Sequence, residues 1–574
     1  MNSEIKNCQN CKIDFTIESD DFDFYKKIEV PAPTWCPECR MVRRMRFRNE
    51  RSLYKTACVL CDKKMISMYS ADKPLVVYCN ECYSSDNWDA MKYGVDYDFE
   101  KNFFAQFKEL MEKVPRRNLY QDFAVNSEYT NQLVYVNNSY LCFGGRNYED
   151  CAYSAQNFDM KDCVDVDFSN KCEYCYASMH IKRSSRLFFS SYSEDCVDSW
   201  FLYGCKNCFD CIGCTNLRNK SHCIYNVQYS KEEYLKIKDS MKLDTLQGIE
   251  SVENNFITHS LQFPRKYAWV KNIDNSTGDD LEHTKDCKHC FSATDDENCR
   301  YSFFVPTGAK DTYDVDHVGV GTSESYEIHS GFGDNRVAFC NRVYFSHDVY
   351  YSDDCYNSEY LFGCISLRKK SYCIFNKQYT KEEYIILVPK IIEQMNTIRY
   401  VENNREYKYG EFFPNIIIPF AYNETVAQEY FPLNKNDAEN KHYSWRVEDS
   451  KSYNITLQPD TIPEIYDVEE KIMNEVIGCK DEGSCHHQCA TAFKIIPQEF
   501  QFYKRFNLPI PNKCSNCRHF ERLEKINPIK LWHRQCMNDG CMNEFETSYS
   551  PDRPEIIYCE SCYQKEVLWL LYCK

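Results

Sequence analysis

Cys8-Gln9-Asn10-Cys11, Cys36-Pro37-Glu38-Cys39, Cys58-Val59-Leu60-Cys61 and Cys79-Asn80-Glu81-Cys82 open the chain with four Cys-x-x-Cys knuckles. Two knuckles about twenty residues apart supply the four thiolates of a tetrahedral zinc site, because each is a tight turn and the hairpin between them brings the pairs together. Pairing in chain order gives two sites, Cys8/Cys11 with Cys36/Cys39 and Cys58/Cys61 with Cys79/Cys82. Crossed pairing stays open.

The same stretch returns at the other end. Cys11, Cys36, Cys39 and Cys58 recur as Cys489, Cys514, Cys517 and Cys536, each 478 residues on, and Cys61, Cys79 and Cys82 recur as Cys541, Cys559 and Cys562, 480 residues on. Residues between the ligands repeat too: Phe24-Tyr25-Lys26 as Phe502-Tyr503-Lys504, and Arg40 and Arg44 as Arg518 and Arg522. The chain therefore uses one module twice, as bookends. In the second copy His486 stands at the place of Cys8, so the outer ligand there is His486 or its neighbour Cys485, with Cys479 as a third candidate. Zinc accepts imidazole as well as thiolate. About four Zn2+ sites are expected, and full ligation marks them as structural, since catalytic zinc keeps an open position. Iron–sulfur ligation is the alternative for such cysteines, and it would bring a redox role.

The run Cys8-x-x-Cys11-x3-Phe15, Phe24-Tyr25-Lys26, then Pro31-x-Pro33-x-x-Cys36-Pro37-x-Cys39-Arg40 resembles the probable zinc-ribbon domain of uncharacterised bacterial proteins. The C-terminal run, with Leu531-Trp532-His533, Phe545-Glu546-Thr547-Ser548-Tyr549 and Pro554-Glu555-Ile556-Ile557-Tyr558-Cys559, is similar to large zinc-ribbon repeat proteins of candidate-phyla bacteria. The resemblance implies zinc and an architecture, and it brings no activity.

A length of 574 residues allows three to five domains. The formal charge of −17 argues against a general nucleic-acid coat or an anionic membrane as the partner of the whole molecule. Met1-Asn2-Ser3-Glu4-Ile5-Lys6 begins no apolar signal segment, and no run of eighteen apolar residues occurs, so a reduced cytoplasmic thiol framework is expected in place of disulfides. Local charge points elsewhere. Arg40, Arg43, Arg44, Arg46, Arg48 and Arg51 stand against one acid, Glu50, and such a run beside a zinc ribbon fits phosphate contacts, with Phe47 and Tyr54 available to stack on bases. The competing reading is that these arginines meet the surplus negative charge of a four-thiolate zinc site, or nearby carboxylates, and leave no binding surface.

After the first bookend, Phe99, Phe103, Phe107, Leu110, Met111 and Val114 recur at helical spacing from Asp98 to Val114, and Pro115 stops the helix. The middle repeats. Cys142, Cys163, Ser184 and Cys205 are spaced by 21, as are Cys151, Cys172, Ser193 and Cys214 and the apolar column Met160, Ile181, Leu202. Like residues at one place in every turn read as a stacked coil, and β-prone pieces such as Cys163-Val164-Asp165-Val166 between turn formers read as strands, so a parallel β-helix of 21 residues per coil is expected. Ser230-x-x-Glu233 and Thr380-x-x-Glu383, 150 residues apart, are capping boxes that open a closing helix on each of two solenoid blocks. Tyr192 to Cys196 matches Tyr351 to Cys355 at a shift of 159, so a nine-residue sub-repeat separates the blocks.

The expected architecture is mainly β and multidomain: duplicated double zinc-ribbon modules at both termini flanking two helix-capped parallel β-solenoid blocks. Its parts are a ribbon module at 1–90, a helical linker at 91–133, block A at 134–245, a connector at 246–283, block B at 284–395, an irregular connector at 396–470 and a ribbon module at 471–574, which a short helix over Asp467–Ile477 leads into. Most of the eighteen central cysteines read as small buried hydrophobes, although Cys205, Cys208, Cys211 and Cys214 and the pair Cys287/Cys290 have metal-like spacing. Asp162, Asp165, Asp167 and Asp311, Asp314, Asp316 with His317 fit turn corners, and less well the paired carboxylates of a carbohydrate-cleaving β-helix. No Ser/His/Asp order, phosphate loop or open metal site points to a small-molecule substrate. The sequence thus favours a non-catalytic zinc scaffold for a protein partner, with nucleic-acid or ribonucleoprotein binding as the alternative and a β-helix enzyme after it.

Overall fold

In the central blocks every third residue adopts the left-handed region of φ: Asp162, Asp165, Phe168, Lys171, Tyr174, Ala177 and His180 all do so. Such a residue turns the chain through a corner, so each side of the coil is three residues long. One points inward, the next outward, and the third makes the corner. Cys163, Val166, Ser169, Cys172, Cys175, Ser178 and Ile181 occupy the inward places and are all buried. The ladder Ala152–Val164–Tyr176–Phe188–Trp200–Ile212–Ile224 advances twelve residues per parallel pairing, so a coil is four such sides. This computed structural model describes residues 2–447, 453–485 and 487–572, without the side chains of 568–572.

The expected coil of 21 residues is therefore corrected to twelve. Spacings of 21 and 9 are multiples of three, so they follow the inward row through seven or three sides without naming residues that stack. In block A the stacked neighbours are twelve apart, as with Cys211 opposite Cys223, whereas part of block B steps by thirteen, as with Tyr313 opposite Tyr326. The nine-residue difference between the blocks is three sides, which preserves the inward phase.

Left-handed non-glycine residues cost about 1–2 kcal/mol each, so something must offset a corner every three residues. Two devices do. Corner side chains of consecutive coils interact: the rings of Phe168, His180 and Tyr192 stack at 5.1 and 4.7 Å, and Arg183 donates to Asp195. Inward hydroxyls and thiols bridge the backbone: Ser169 Oγ donates to the Asp167 carbonyl at 2.9 Å and accepts from the Ile181 N–H of the next coil at 3.1 Å. Cys172 and Cys211 make the same local bond through sulfur, at 3.4 Å each. Only a short side chain ending in O–H or S–H does both, which is why serine and cysteine alternate in these columns.

Block A runs as one sheet from Gln121–Val125 to Val227–Gln228, and block B from Val270–Lys271 to Lys377–Gln378. Both begin before the cysteine columns do: Ser127, Thr130, Leu133 and Val136 are buried ahead of Cys142 in A, and Leu281 ahead of Cys287 in B. Each block closes with the expected helix, Lys231–Ser240 and Lys381–Thr397, whose capping boxes are formed by Ser230 with Glu233 and Thr380 with Glu383. The linker helix spans Phe103–Lys113, capped by Asn102. It packs on block B, where Phe103 meets Tyr351, Phe362 and Phe375, and not on the block that follows it in the chain. In the second connector Phe412, Phe413, Ile417 and Phe420 are buried, as their apolarity requires. The helix expected over Asp467–Ile477 is a single 3-10 turn, Glu470–Asn474, and a short strand, Ile477–Gly478.

The bookends cross over. The N-terminal module lies on block B and the C-terminal module on block A, each fastened by one helix of the module, Pro37–Met45 or Ser515–Leu523. Short parallel pairings, Val77 with Arg116 and Ile557 with Arg265, tie each module to the residues leading into the block it does not clasp.

Candidate metal centres

In each site the first cysteine follows a short strand, and the second cysteine pair opens a helix. Strands Glu4–Asn7 and Asp14–Ile17 form the hairpin around Cys8 and Cys11, while Cys36 is the N-cap of Pro37–Met45. This gathers the sulfurs. Four groups result, Cys8/Cys11/Cys36/Cys39, Cys58/Cys61/Cys79/Cys82, Cys479/Cys489/Cys514/Cys517 and Cys536/Cys541/Cys559/Cys562, each with all sulfurs within 4.8 Å of one another. Sulfurs bound at about 2.3 Å to one tetrahedral zinc stand about 3.8 Å apart. Here Cys11 to Cys36 is 3.7 Å, Cys61 to Cys79 3.9 Å, Cys514 to Cys517 3.5 Å and Cys541 to Cys559 3.9 Å. The donor sets fit a four-coordinate thiophilic ion, and the knuckles pair in chain order.

Backbone amides support the thiolates. The Cys36 N–H donates to Cys8 Sγ at 3.2 Å, Cys79 N–H to Cys58 Sγ at 3.3 Å and Cys559 N–H to Cys536 Sγ at 3.2 Å. Burial opposes the charge on Cys58, yet the amides of Cys79, Cys61 and Leu60 bring its thiol down to about 7.

Of the two described candidates for the outer ligand of the first C-terminal site, Cys479 is the one in the four-sulfur group. Cys514 N–H donates to Cys479 Sγ at 3.2 Å, the bond that Cys36 makes to Cys8. Cys485 is not in the four-sulfur group, which corrects its expected place; it lies beside it, 3.6 Å from Cys517, among Asp481 and His487. His486 lies outside the described residues. A longer loop between Cys479 and Cys489 displaced the ligand from its sequence counterpart. The signal that identifies Cys479 is the β-prone Val476-Ile477 before it, which matches the strand before Cys8. Asp481 and His487 were not expected as donors.

Among the described residues no metal-capable group includes a central cysteine. Cys205, Cys208, Cys211 and Cys214 point inward on four consecutive coil sides, and their thiols donate to carbonyls two residues back.

The arginine run is taken up inside the molecule, which corrects its reading as a phosphate footprint. Arg40, Arg43, Arg44, Arg46 and Arg48 are buried, and Arg51 is half-buried. Arg40 meets Asp314 at 2.9 Å, Arg44 meets Asp316 at 2.7 Å and Asp314 at 3.2 Å, and Arg43 bridges Glu327 and Glu411. Arg46 bonds Asn415 at 2.6 Å and lies over the Tyr443 ring; Arg48 pairs with Glu50; Arg51 lies over Phe143 and reaches Asn516 at 3.4 Å. The C-terminal copy repeats the device: Arg518 pairs with Asp165 at 2.8 Å, and Arg522 with Asp167 at 2.7 Å and Asp165 at 2.8 Å. Asp165, Asp167, Asp314 and Asp316 are thus the receiving half of two ion-pair clasps, with Asp165 and Asp314 also at left-handed corners as their turn reading expected. They are not a free pair of carboxylates. Against the burial that opposes its charge, Arg522 and His519 hold the Asp167 carboxyl well below the usual range. In block B burial wins: with Asp314 and Glu327 adding repulsion, the Asp316 carboxyl rises to about 6 despite Arg44.

No helix among the described residues is long and apolar enough to cross a membrane. No protein-family model matches the chain, and no curated protein matches it. Among solved structures, a protein assigned as an acetyltransferase from Desulfovibrio desulfuricans G20 is 8% identical over 50% of this chain and 77% of its own, at a TM-score of 0.10. A likeness that slight carries no argument about fold or activity.

Proposed function

We propose that this chain is a non-catalytic, cytoplasmic zinc scaffold of the zinc-ribbon repeat kind it resembles, in which metal-stapled bookends are clasped onto solenoids to present a rigid surface to a protein partner. The observation that carries this reading is the four sets of four sulfurs at tetrahedral spacing. Four thiolates fill the coordination sphere of zinc and leave no position for substrate water, so the metal's work is structural. Thiolate ligands and free inward thiols need reducing surroundings, which supports the cytoplasm. The partner reading rests on the first coils of block A, the end without a helical cap, where Phe123, Val125 and Tyr135 are 70, 56 and 54% exposed and Phe123 stacks on Tyr135. The nucleic-acid alternative has lost the arginines that motivated it.

Metal analysis of protein purified without added zinc tests the reading. About one zinc for each of the four groups is expected, and a content below three per chain sinks it. Copurification from native cells, repeated with Phe123→Ser and Tyr135→Ser, tests the partner face.

A further inference from the structure

The first site of the C-terminal bookend differs in its ligand loop from that of the N-terminal one. Its first knuckle has a longer loop, and that loop gathers Asp481, Cys485 and His487 around Cys517, with one donor atom from each of the four residues inside a 4.8 Å cluster. Cys485 Sγ lies 3.6 Å from Cys517 Sγ, close to the separation of two thiolates on one tetrahedral zinc. The other donors are already oriented. His487 Nε2 lies 2.8 Å from Glu524 Oε1, an arrangement in which Nε2–H donates to the carboxylate and the lone pair stays on Nδ1. Metal-bound histidines are held in this way by an outer carboxylate. His487 Nδ1 is buried and has no hydrogen-bond partner, and the ring is held in plane by stacking on Phe520. Asp481 repeats the pattern: Oδ1 faces Lys513 at 3.5 Å, while Oδ2 is buried without a partner. Two buried polar atoms without partners, on two side chains whose other polar atoms are engaged, call for a ligand between them.

We propose that this loop holds a fifth metal ion, a zinc bound by Asp481, Cys485 and His487 and bridged through the Cys517 thiolate to the ion of the neighbouring four-sulfur site. The inference rests on the scaffold reading for that neighbouring ion. A donor set of two sulfurs, one imidazole and one carboxylate is four-coordinate and suits zinc over calcium or magnesium, which take oxygen. Lys513, which also pairs with Glu521, offsets part of the surplus negative charge of the bridged pair. The N-terminal bookend supplies a control within the chain: 478 residues before Cys485, His487 and Glu524 stand Asn7, Gln9 and Arg46, so neither donor nor support exists there.

The test is zinc content of the full chain after dialysis against a weak chelator, for wild type, Cys485→Ser and His487→Gln. Five ions in wild type and four in each variant support the proposal. Four in all three overturn it and leave the scaffold reading standing, as does three in wild type, whereas fewer than three in wild type overturn both. A fifth ion that survives His487→Gln, or that binds only at large metal excess, is adventitious and also overturns it. Cadmium NMR of the cadmium-loaded protein reads the bridge directly. Five resonances are expected, one upfield of the all-thiolate signals, and His487→Gln should abolish that one and shift the signal of the site that shares Cys517. An unshifted signal rules the bridge out.

Discussion

Arg44 Nε donates to Asp316 Oδ2 at 2.7 Å across 272 residues of chain, with both side chains wholly buried. Arg522 makes the same bond to Asp167 at 2.7 Å across 355 residues, so one clasp is built twice with the halves of the chain exchanged. Removing one partner of a buried pair leaves an uncompensated charge and costs about 3–5 kcal/mol. Arg44→Ala should therefore loosen the N-terminal bookend from block B by about that much, read as a lower denaturant midpoint for the Trp35 fluorescence change. Arg44→Lys should not restore it, because an ammonium cannot bridge Asp314 and Asp316 as the guanidinium fork does. The apolar pair Arg44→Met with Asp316→Leu should recover part of the loss. A midpoint unchanged in Arg44→Ala would mean that the clasp contributes nothing to docking.

Metal removal should separate the molecule into two kinds of structure. Around three of the four sites the bookend core is a small cluster built largely from the cysteines themselves, and structural zinc contributes about 10–16 kcal/mol to such folds. The solenoids bury continuous interiors of Cys, Ser, Val, Ile and Leu without metal. A strong chelator should expose amides of residues 8–82 and 479–562 to hydrogen exchange while the ladders of both blocks stay protected. Simultaneous loss of protection everywhere would show that the coils depend on the bookends to fold.

How much of this was legible in the sequence follows from how local each signal is. The knuckles and the repeat of Arg40 and Arg44 as Arg518 and Arg522 are local spacings, and so is the serine–cysteine alternation. The size of the coil is not. Corners at Phe168, Lys171 and Tyr174 use none of the residues that favour a left-handed φ, since their stability comes from side chains twelve residues away on the next coil. The inward row, read without its corners, repeats Cys or Ser at 21 as easily as at 12. The clasps were hidden for a like reason: Asp314 and Arg44 are each conspicuous, but nothing in the sequence joins them. Cys479 was displaced by a loop insertion, which a constant shift of 478 cannot follow.

The central thiols should prove chemically ordinary. Cys211 Sγ makes the bond that a serine hydroxyl makes elsewhere in the row, so Cys211→Ser should change stability by about 1 kcal/mol or less, and Cys205→Ser, Cys208→Ser, Cys211→Ser and Cys214→Ser together should leave zinc content unchanged. Cys211→Leu should cost about 1–3 kcal/mol, because the twelve-residue coil has no slack for a longer inward side chain. A fall in zinc content in the fourfold serine variant would place a metal inside block A.

A buried carboxyl gives block B a measurable response to pH. Asp296 accepts the Ala309 N–H through Oδ1 at 2.7 Å, its Oδ2 is buried without a partner, and burial, reinforced by Cys287 and Asp295, pushes its carboxyl up to about 8. An acid whose folded pKa is raised binds its proton in the folded chain at pH values where the unfolded chain has released it. Stability from this group is therefore greatest in acid, falls as pH rises from about 4, the unfolded value, to about 8, and is level above. Asp296→Asn keeps the acceptor for Ala309 and removes the charge, so its stability relative to wild type should rise between pH 6 and 8 and then plateau. The gain should reach about 1 kcal/mol or more by pH 8. Denaturant unfolding of the zinc-loaded protein at pH 6, 7, 8 and 9 measures this, and a wild-type-to-variant difference that is flat across the series would show that Asp296 is ionised in the fold throughout.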